Sequence, residues 1–496
     1  MRTIALALAA LASGAATPWK HYVVSGAAAA RGIPATVTPA APATIVWSHE
    51  VAGNLQLTFA AVAPNTLVRV AFSETAEYLG IGGTSDWSRT YTTDAHLARS
   101  GETWTDTSGC EAAGVCADGY RAFRFARVYV DRGSARIVGA TVRTASPGVA
   151  TPRGWFLSSD DEVNRIWYAG AYTAQLAELP NDPAVLGSGC TVPADARVVL
   201  VDGAKRDRCP WVGDQVVTDP TLFLANGAQA AQPVADTLSV FANAQLPDGY
   251  IPASPAATSV LFDYPAYFVL AVDEYLLYRG DTTEVSTWWP SLAKVLDTWY
   301  PGYADANGLL EDPFPAGDYA YVQRGGPLVA YYNALYARAL EAGADVAGAL
   351  GHTDAASRWR ARAASLAAPF AAAFWDATAG AFSDTPGAAT HPTDGNAFAV
   401  LAGLATPAQT TSALARLAAT TRLPWGNGVA DSDAWSTAAW GSEPSQRVYP
   451  FISYFDVLAR FEAGDAAGAL DELRRTWGWM LTHTPTGTDW EAIGAG

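Results

Sequence analysis

Lysine is nearly absent from this chain. Lys20, Lys205 and Lys294 are the whole set, the arginines are scattered, and the formal net charge is −17. A protein that follows a phosphate backbone needs a basic stripe, so a nucleic-acid partner is excluded. Histidine is scarce too, with six residues, and no HExxH, Ser-His-Asp or phosphate-loop pattern occurs. Carboxylates are therefore the side chains most available for acid/base work. After the N-terminal segment no run reaches the roughly 20 apolar residues that cross a bilayer, so no membrane partner is expected. Asn-X-Ser/Thr does not occur, which removes any N-glycosylation acceptor. Cysteine is limited to Cys110, Cys116, Cys190 and Cys209, at spacings that do not fit a zinc site and with no histidine near. Neither a metal nor a cofactor is expected.

Half of the 496 residues are hydrophobic, enough for two or three packed domains. The N-terminus, MRTIALALAALASGAA, has one arginine, an apolar run from Thr3 to Leu11 and a small-residue exit. That is the order of a secretory signal peptide over 1–16, so an extracellular location is expected. Four cysteines suit an oxidising compartment. Two local bridges are favoured, Cys110 with Cys116 and Cys190 with Cys209; other pairings and free buried thiols stay open. From about Thr36 to Thr144 the hydrophobic period is two, as in NLQLTFAAV, TLVRVAFSE, YRAFRFARVYV and ARIVGATVRTA. An antiparallel β-sandwich over 17–145 is expected, followed by a linker, SPGVATPRG, over 146–154. Beyond Trp155 the period becomes helical, and Ser159 and Asp160 are cap candidates for the first helix. GPLVAYYNALYARALEAGADVAGAL and AASRWRARAASLAAPFAAAFWD are helices of similar length joined by GHTD, and QRVYPFISYFDVLARFEAG with DAAGALDELRRTWGWML repeats the arrangement. Successive helix hairpins with elaborate loops and no sequence repeat predict an (α/α) toroid over 155–496, its long loops lining a cleft.

Two stretches carry candidate chemistry. DGAKRDRCPWVGD, residues 202–214, packs Asp202, Lys205, Arg206, Asp207, Arg208 and Asp214 into a chain that is only 16% charged. A helix is expected to start near Asp214 or Val216, with Arg206 and Arg208 holding carboxylates through charge-assisted bonds. The bland alternative is a solvated ion-pair strip of little energetic weight. Trp211, Pro210, Gly213 and Cys209 do not suit such a strip, and composition alone leaves the two readings level. The second stretch is THTPTGTDWEAIGAG, where Asp489 and Glu491 flank Trp490. A tryptophan beside carboxylates is a platform for a sugar ring, though most of 18 tryptophans must be core. Asp263, Asp312, Asp318, Asp394, Asp431 and Asp433 are further acidic loop residues. Glycoside hydrolysis needs one acid and one base or nucleophile across the scissile bond, and an acidic, Trp-rich toroid suits it.

The first stretch resembles the signature of the glycoside hydrolase family 78 α-L-rhamnosidases, Asp-x-x-x-Arg-(Glu/Asp)-Arg-x-x-Trp-x-Gly-Asp. Asp202, Arg206, Asp207, Arg208, Trp211, Gly213 and Asp214 match its fixed positions. PWKHYVV, CADGYRAFRFARVYV, HPTDGNAFAVLAGLA, RRTWGWML and GTDWEAIG resemble further parts of the family along most of the chain. The resemblance implies a β-sandwich followed by an (α/α)₆ barrel, a six-hairpin glycosidase that removes terminal α-L-rhamnose with inversion. It implies Asp207 as general acid and Glu491 as general base. It makes Asp202 and Asp214 ligands of sugar hydroxyls, and Trp211 and Trp490 walls of the pocket; Arg206 and Asp318 join the expected substrate-binding set. The partner is then a rhamnosylated glycoside or polysaccharide. Two departures stand out. Many members carry Glu at the position of Asp207, and the chain ends five residues after Glu491, so the barrel is expected to lack its last helix and the usual C-terminal β-domain. The rivals are another cleavage on the same toroid, by a glucosidase or a polysaccharide lyase, and a rhamnose-binding protein without turnover.

Overall fold

The computed structural model describes residues 18–24, 30–77, 79, 93–108, 119–146, 153–187, 189–205, 207–437, 443–483 and 487–494. The expected signal segment, the Cys110–Cys116 loop, most of the linker and Arg206 lie outside these residues.

The alternating segments form an antiparallel sandwich of β1 (Ala35–Val37), β2 (Ala43–Val62), β3 (Leu67–Ser73), β4 (His96–Leu97), β5 (Thr103–Thr105), β6 (Arg121–Arg132) and β7 (Ala135–Arg143). β2 serves both layers. Its first half pairs with β6, its second half with β7 and β5, and its register slips between Val46 and Val51. Period two sends Ile45, Leu55, Leu57, Phe59, Val68, Val70, Phe123 and Val128 into one apolar interior, as the pleat requires.

The helical half begins with α1 (Asp161–Leu176), capped by Asp160, whose carboxylate accepts from the N–H groups of Glu162 and Val163. Residues 18–24 lie against this helix: the Tyr22 hydroxyl donates to Asp161, 2.7 Å, and its ring stacks on Tyr168. The chain then runs through α2 (Val212–Asn226), α3 (Ala231–Asn243), α4 (Tyr264–Arg279), α5 (Thr282–Lys294), α6 (Ala330–Ala349) and α7 (Thr353–Phe374). α8 (Thr393–Leu401), α9 (Pro407–Thr420), α10 (Pro450–Glu462), α11 (Ala466–Leu473) and α12 (Trp479–His483) follow. α2, α4, α6, α8 and α10 pack in that succession as the inner wall, alternating in sequence with the outer helices, so their N-termini share one mouth. α10 and α2 touch only sparsely, leaving the inner ring open on that side among the described residues. The core between the layers is built from Tyr267, Phe268, Trp288, Tyr331, Tyr336, Trp359 and Phe398. Gly154 sits where the chain enters the barrel: its N–H reaches the carbonyl of Ala225, and a Cβ there would lie 1.6 Å from the Leu224 carbonyl oxygen. Only glycine permits that approach.

Candidate active site

The 202–214 segment crosses the mouth as a pinned turn. Cys209 is bridged to Cys190, with the two Cα atoms 5.5 Å apart. The Gly187 N–H donates to the Arg208 carbonyl, 2.9 Å, and the Asp202 N–H to the Cys209 carbonyl, 3.1 Å. Arg208 lies in the left-handed region at φ 48°, a conformation that costs a non-glycine residue about 1–3 kcal/mol and persists only where the surroundings over-determine it. Its buried guanidinium donates to the carbonyls of Val185, 2.7 Å, and Lys205, 2.9 Å, and lies 5.5 Å from the ring centre of Tyr120 in the sandwich. Burial pulls its pKa down to about 10, which leaves it charged and within electrostatic reach of Asp202. Arg208 thus braces the turn by holding backbone carbonyls as well as facing a carboxylate.

The strand-like Pro210–Trp211 step leads into α2 two residues before the expected start at Asp214. Trp211 is the N-cap but offers no side-chain cap, and the Val212 N–H goes to the Ala253 carbonyl, 2.9 Å. A tertiary bond therefore satisfies the first N–H of α2 in place of a side-chain cap. Gly213 follows because α2 meets α4 there: a Cβ would fall 3.2 Å from Cε1 of Tyr264. The Trp211 ring packs edge-on against the same Tyr264, 5.8 Å between centres.

Asp214, third residue of α2, points its carboxyl into this wall. Burial, then the charges of Glu491 and Asp207, push its pKa up to about 8. Asp214 thus lies within electrostatic reach of both Asp207 and Glu491, one from each of the two stretches singled out in the sequence. Two tyrosines join them. Tyr264 at the start of α4 is buried and within the field of Asp214, and Tyr449 just before α10 is buried and within the fields of Asp318 and Glu491. Both precede a proline at the N-terminus of an inner helix, Tyr264-Pro265 and Tyr449-Pro450, a pattern present in the sequence that marks the mouth.

Glu491 is exposed, on a loop held from three sides. Val448 and Ile493 exchange N–H···O bonds of 2.8 and 2.9 Å, the Asp489 N–H donates to the Thr173 hydroxyl, 2.8 Å, and Thr488 donates to Glu50 of β2, 2.7 Å. Burial raises Asp489 to about 7. Trp490 packs on Val448, Met480 and Ile493, so its ring helps seat the loop.

Asp318 stands behind the pocket. One oxygen accepts from the N–H groups of Ala320 and Val322, the other from Arg324 at 2.9 and 2.5 Å and from the Tyr332 hydroxyl. Both oxygens of this expected substrate-binding residue are thus engaged inside the protein. Arg324 also grips Asp384, 2.8 Å, and Asp394, 2.6 Å, and lies 4.3 Å from the centre of Trp435. Asp263 accepts from the Tyr319 N–H, 3.1 Å, and the Tyr331 hydroxyl, 2.9 Å. Asp318, Asp384 and Asp394 form a frame centred on Arg324, an arginine that the sequence reading missed, and Asp263 lies within the field of Asp318.

The comparisons with known proteins agree with this layout. Residues 191–425 match the family model of the bacterial α-L-rhamnosidase six-hairpin glycosidase domain, a span that includes Asp207 and Asp214 but stops short of Glu491. This span of the chain is thus similar to the six-hairpin glycosidase domain of bacterial α-L-rhamnosidases. Among solved structures, a glycoside hydrolase family 78 rhamnosidase of Bacillus sp. GL1 is similar with a TM-score of 0.70 at 20% identity, over 91% of this chain and 43% of that one. A rhamnosidase from Klebsiella oxytoca with rhamnose bound gives 0.68 at 17% identity, over 92% and 82%. The native α-L-rhamnosidase from Aspergillus terreus gives 0.62 at 13%, over 95% and 50%. At these identities the likeness establishes the fold, a β-sandwich followed by an (α/α)₆ barrel. The chain spans less than half the length of the Bacillus protein. No curated protein matches it. Among the described residues, no helix is long and apolar enough to cross a membrane.

Proposed function

We propose that this protein hydrolyses terminal α-L-rhamnosides with inversion at the anomeric carbon. The observation that carries the reading is the electrostatic contact of Asp214 with both Asp207 and Glu491, which draws the two stretches together at the mouth of a rhamnosidase-type barrel. Rhamnose bound to the Klebsiella relative supports the sugar assignment. In the reaction, the Asp207 carboxyl gives its proton to the glycosidic oxygen as the C1–O bond breaks. Water adds to C1 from the opposite face and loses a proton to the Glu491 carboxylate. Asp214, neutral below about pH 8, donates a hydrogen bond to a sugar hydroxyl and adds no second negative charge beside the base. Asp202 and Trp211 complete the wall, Trp490 holds the base loop, and Asp318 acts through the frame around Arg324. The Cys190–Cys209 bridge supports an oxidising, extracellular setting.

The test is release of L-rhamnose from an aryl α-L-rhamnoside, with the first-formed anomer read by NMR. The β-anomer is expected. Asp207→Asn and Glu491→Gln are each expected to lower turnover by about 10²–10⁴-fold with the melting temperature unchanged. A near-wild-type rate in either variant overturns the assignment of roles, and cleavage of other aryl glycosides in preference to rhamnosides overturns the substrate.

A further inference from the structure

The loops bearing Asp207 and Glu491 reach the same pair of carboxyls on the sandwich. Thr488, three residues before Glu491, donates to Oε2 of Glu50, 2.7 Å. Lys205, two residues before Asp207, is ion-paired with Glu74, just beyond the end of β3. Glu50 and Glu74 are hydrogen-bonded to each other. Glu50 and Thr488 are buried, while Glu74 and Lys205 are partly exposed, so the connection is interior at its Thr488 end. It runs Asp207–Lys205–Glu74–Glu50–Thr488–Glu491 and passes through the sandwich at its middle.

We propose that Glu50 and Glu74 form a strut that fixes the two catalytic loops relative to each other, making Glu50 a positioning residue for the acid/base pair. The proposal rests on the functional reading above. Three features of the site favour it. Glu50 lies in the stretch of β2 where the register slips, between Val46 and Val51, so the irregularity aims its side chain at the barrel. Its carbonyl accepts from the Tyr172 hydroxyl of α1, 2.7 Å, and the neighbouring His49 ring meets Tyr172 edge-on, 5.1 Å between centres. Gly487 packs on His49, where a Cβ would come within 3.0 Å of the His49 Cβ. Burial, then the charge of Glu74, raise Glu50 to about 8, so at neutral pH it holds a proton and donates to Glu74 while accepting from Thr488. Lys205, on the far side, is ion-paired with Glu74. Two like carboxyls in contact are stable in that state and in no doubly charged one.

Glutamine reproduces the protonated form of Glu50, with one acceptor and one donor in the same places; alanine removes both. Glu50→Ala and Thr488→Val are expected to lower kcat on the order of tenfold or more with KM within about twofold of wild type, as displacement of a reacting group does. Glu50→Gln is expected to keep kcat near wild type at pH 6. Hydrogen–deuterium exchange supplies a readout independent of activity: Glu50→Ala speeds exchange in both 202–209 and 487–494, and Glu50→Gln in neither. Faster exchange confined to 487–494 in Glu50→Ala, or a Glu50→Gln variant as impaired as Glu50→Ala, overturns the strut. If the wild type releases no rhamnose, the functional reading fails, while the exchange pattern still decides whether the two loops are joined through the sandwich.

Discussion

Asp214 owes its chemistry to its surroundings. In water its carboxyl ionises near pH 4; in the wall of the barrel, burial and the charges of Glu491 and Asp207 hold the proton on to about pH 8. Because its folded pKa is raised, Asp214 stabilises the fold fully below its unfolded pKa, and that stabilisation is lost as pH rises through about 8. Asparagine has the shape of the neutral acid and does not titrate. Asp214→Asn is therefore expected to match wild type in melting temperature near pH 5 and to exceed it at pH 9, read by scanning fluorimetry across that range. Equal slopes for the two proteins would mean that Asp214 is already ionised at neutral pH. Arg208 makes the complementary point. It matches a signature position, yet its bonds to Val185 and Lys205 shape the backbone on which Asp207 sits.

At the scale of elements, the turn carrying Asp207 is held by the Cys190–Cys209 bridge, which closes a loop with a sequence separation of 19. A loop of that size stabilises by about 3 kcal/mol through the unfolded chain. The double variant Cys190→Ala/Cys209→Ala is expected to unfold at lower temperature by calorimetry and to lose more in kcat than in KM, since the turn is released beside the acid. The helix hairpins themselves were legible. GHTD marked the break between α6 and α7, observed as Ala330–Ala349 and Thr353–Phe374, and Asp160 was a visible cap. The strands NLQLTFAAV and ARIVGATVRTA fell where period two put them. The start of α2 was misplaced because its first N–H is satisfied by Ala253, far along the chain. Arg324 was overlooked for a similar reason: two of its carboxylates, Asp318 and Asp384, come from separate loops and the third, Asp394, from the first turn of α8, and no local spacing brings them together. Glu50 and Thr488 stand 438 residues apart, beyond any pattern a sequence can display.

For the whole molecule, buried acids set the response to pH. Glu50 and Asp214 are raised to about 8, and Glu178, Asp273, Asp312 and Asp489 to about 7, burial being the largest cause in each. The native state keeps these protons where the unfolded chain has released them, so stability falls as pH climbs through 7 and 8. Asp471 works in the opposite sense: hydrogen bonds from Arg422, and then Arg475, lower it to about 2, a contribution lost as acid approaches that value. The melting temperature is therefore expected to peak in mildly acidic buffer, about pH 5, and to decline steadily toward pH 9. Calorimetry across buffers of equal ionic strength checks this, and a maximum on the alkaline side would contradict it.

The register slip in β2 has a consequence for any attempt to recombine this protein with its relatives. The pairing with β6 on either side of the Val46–Val51 irregularity tolerates a change of one residue, because the residues between hold no register with β6. Glu50 does not tolerate it, since a one-residue shift turns its side chain to the opposite face. A grafted sandwich would then fold and dock while its carboxyl aimed at solvent. Chimeras should accordingly be spliced by the phase of that irregularity, counted in residues from the strand's bend, and never by domain boundary alone.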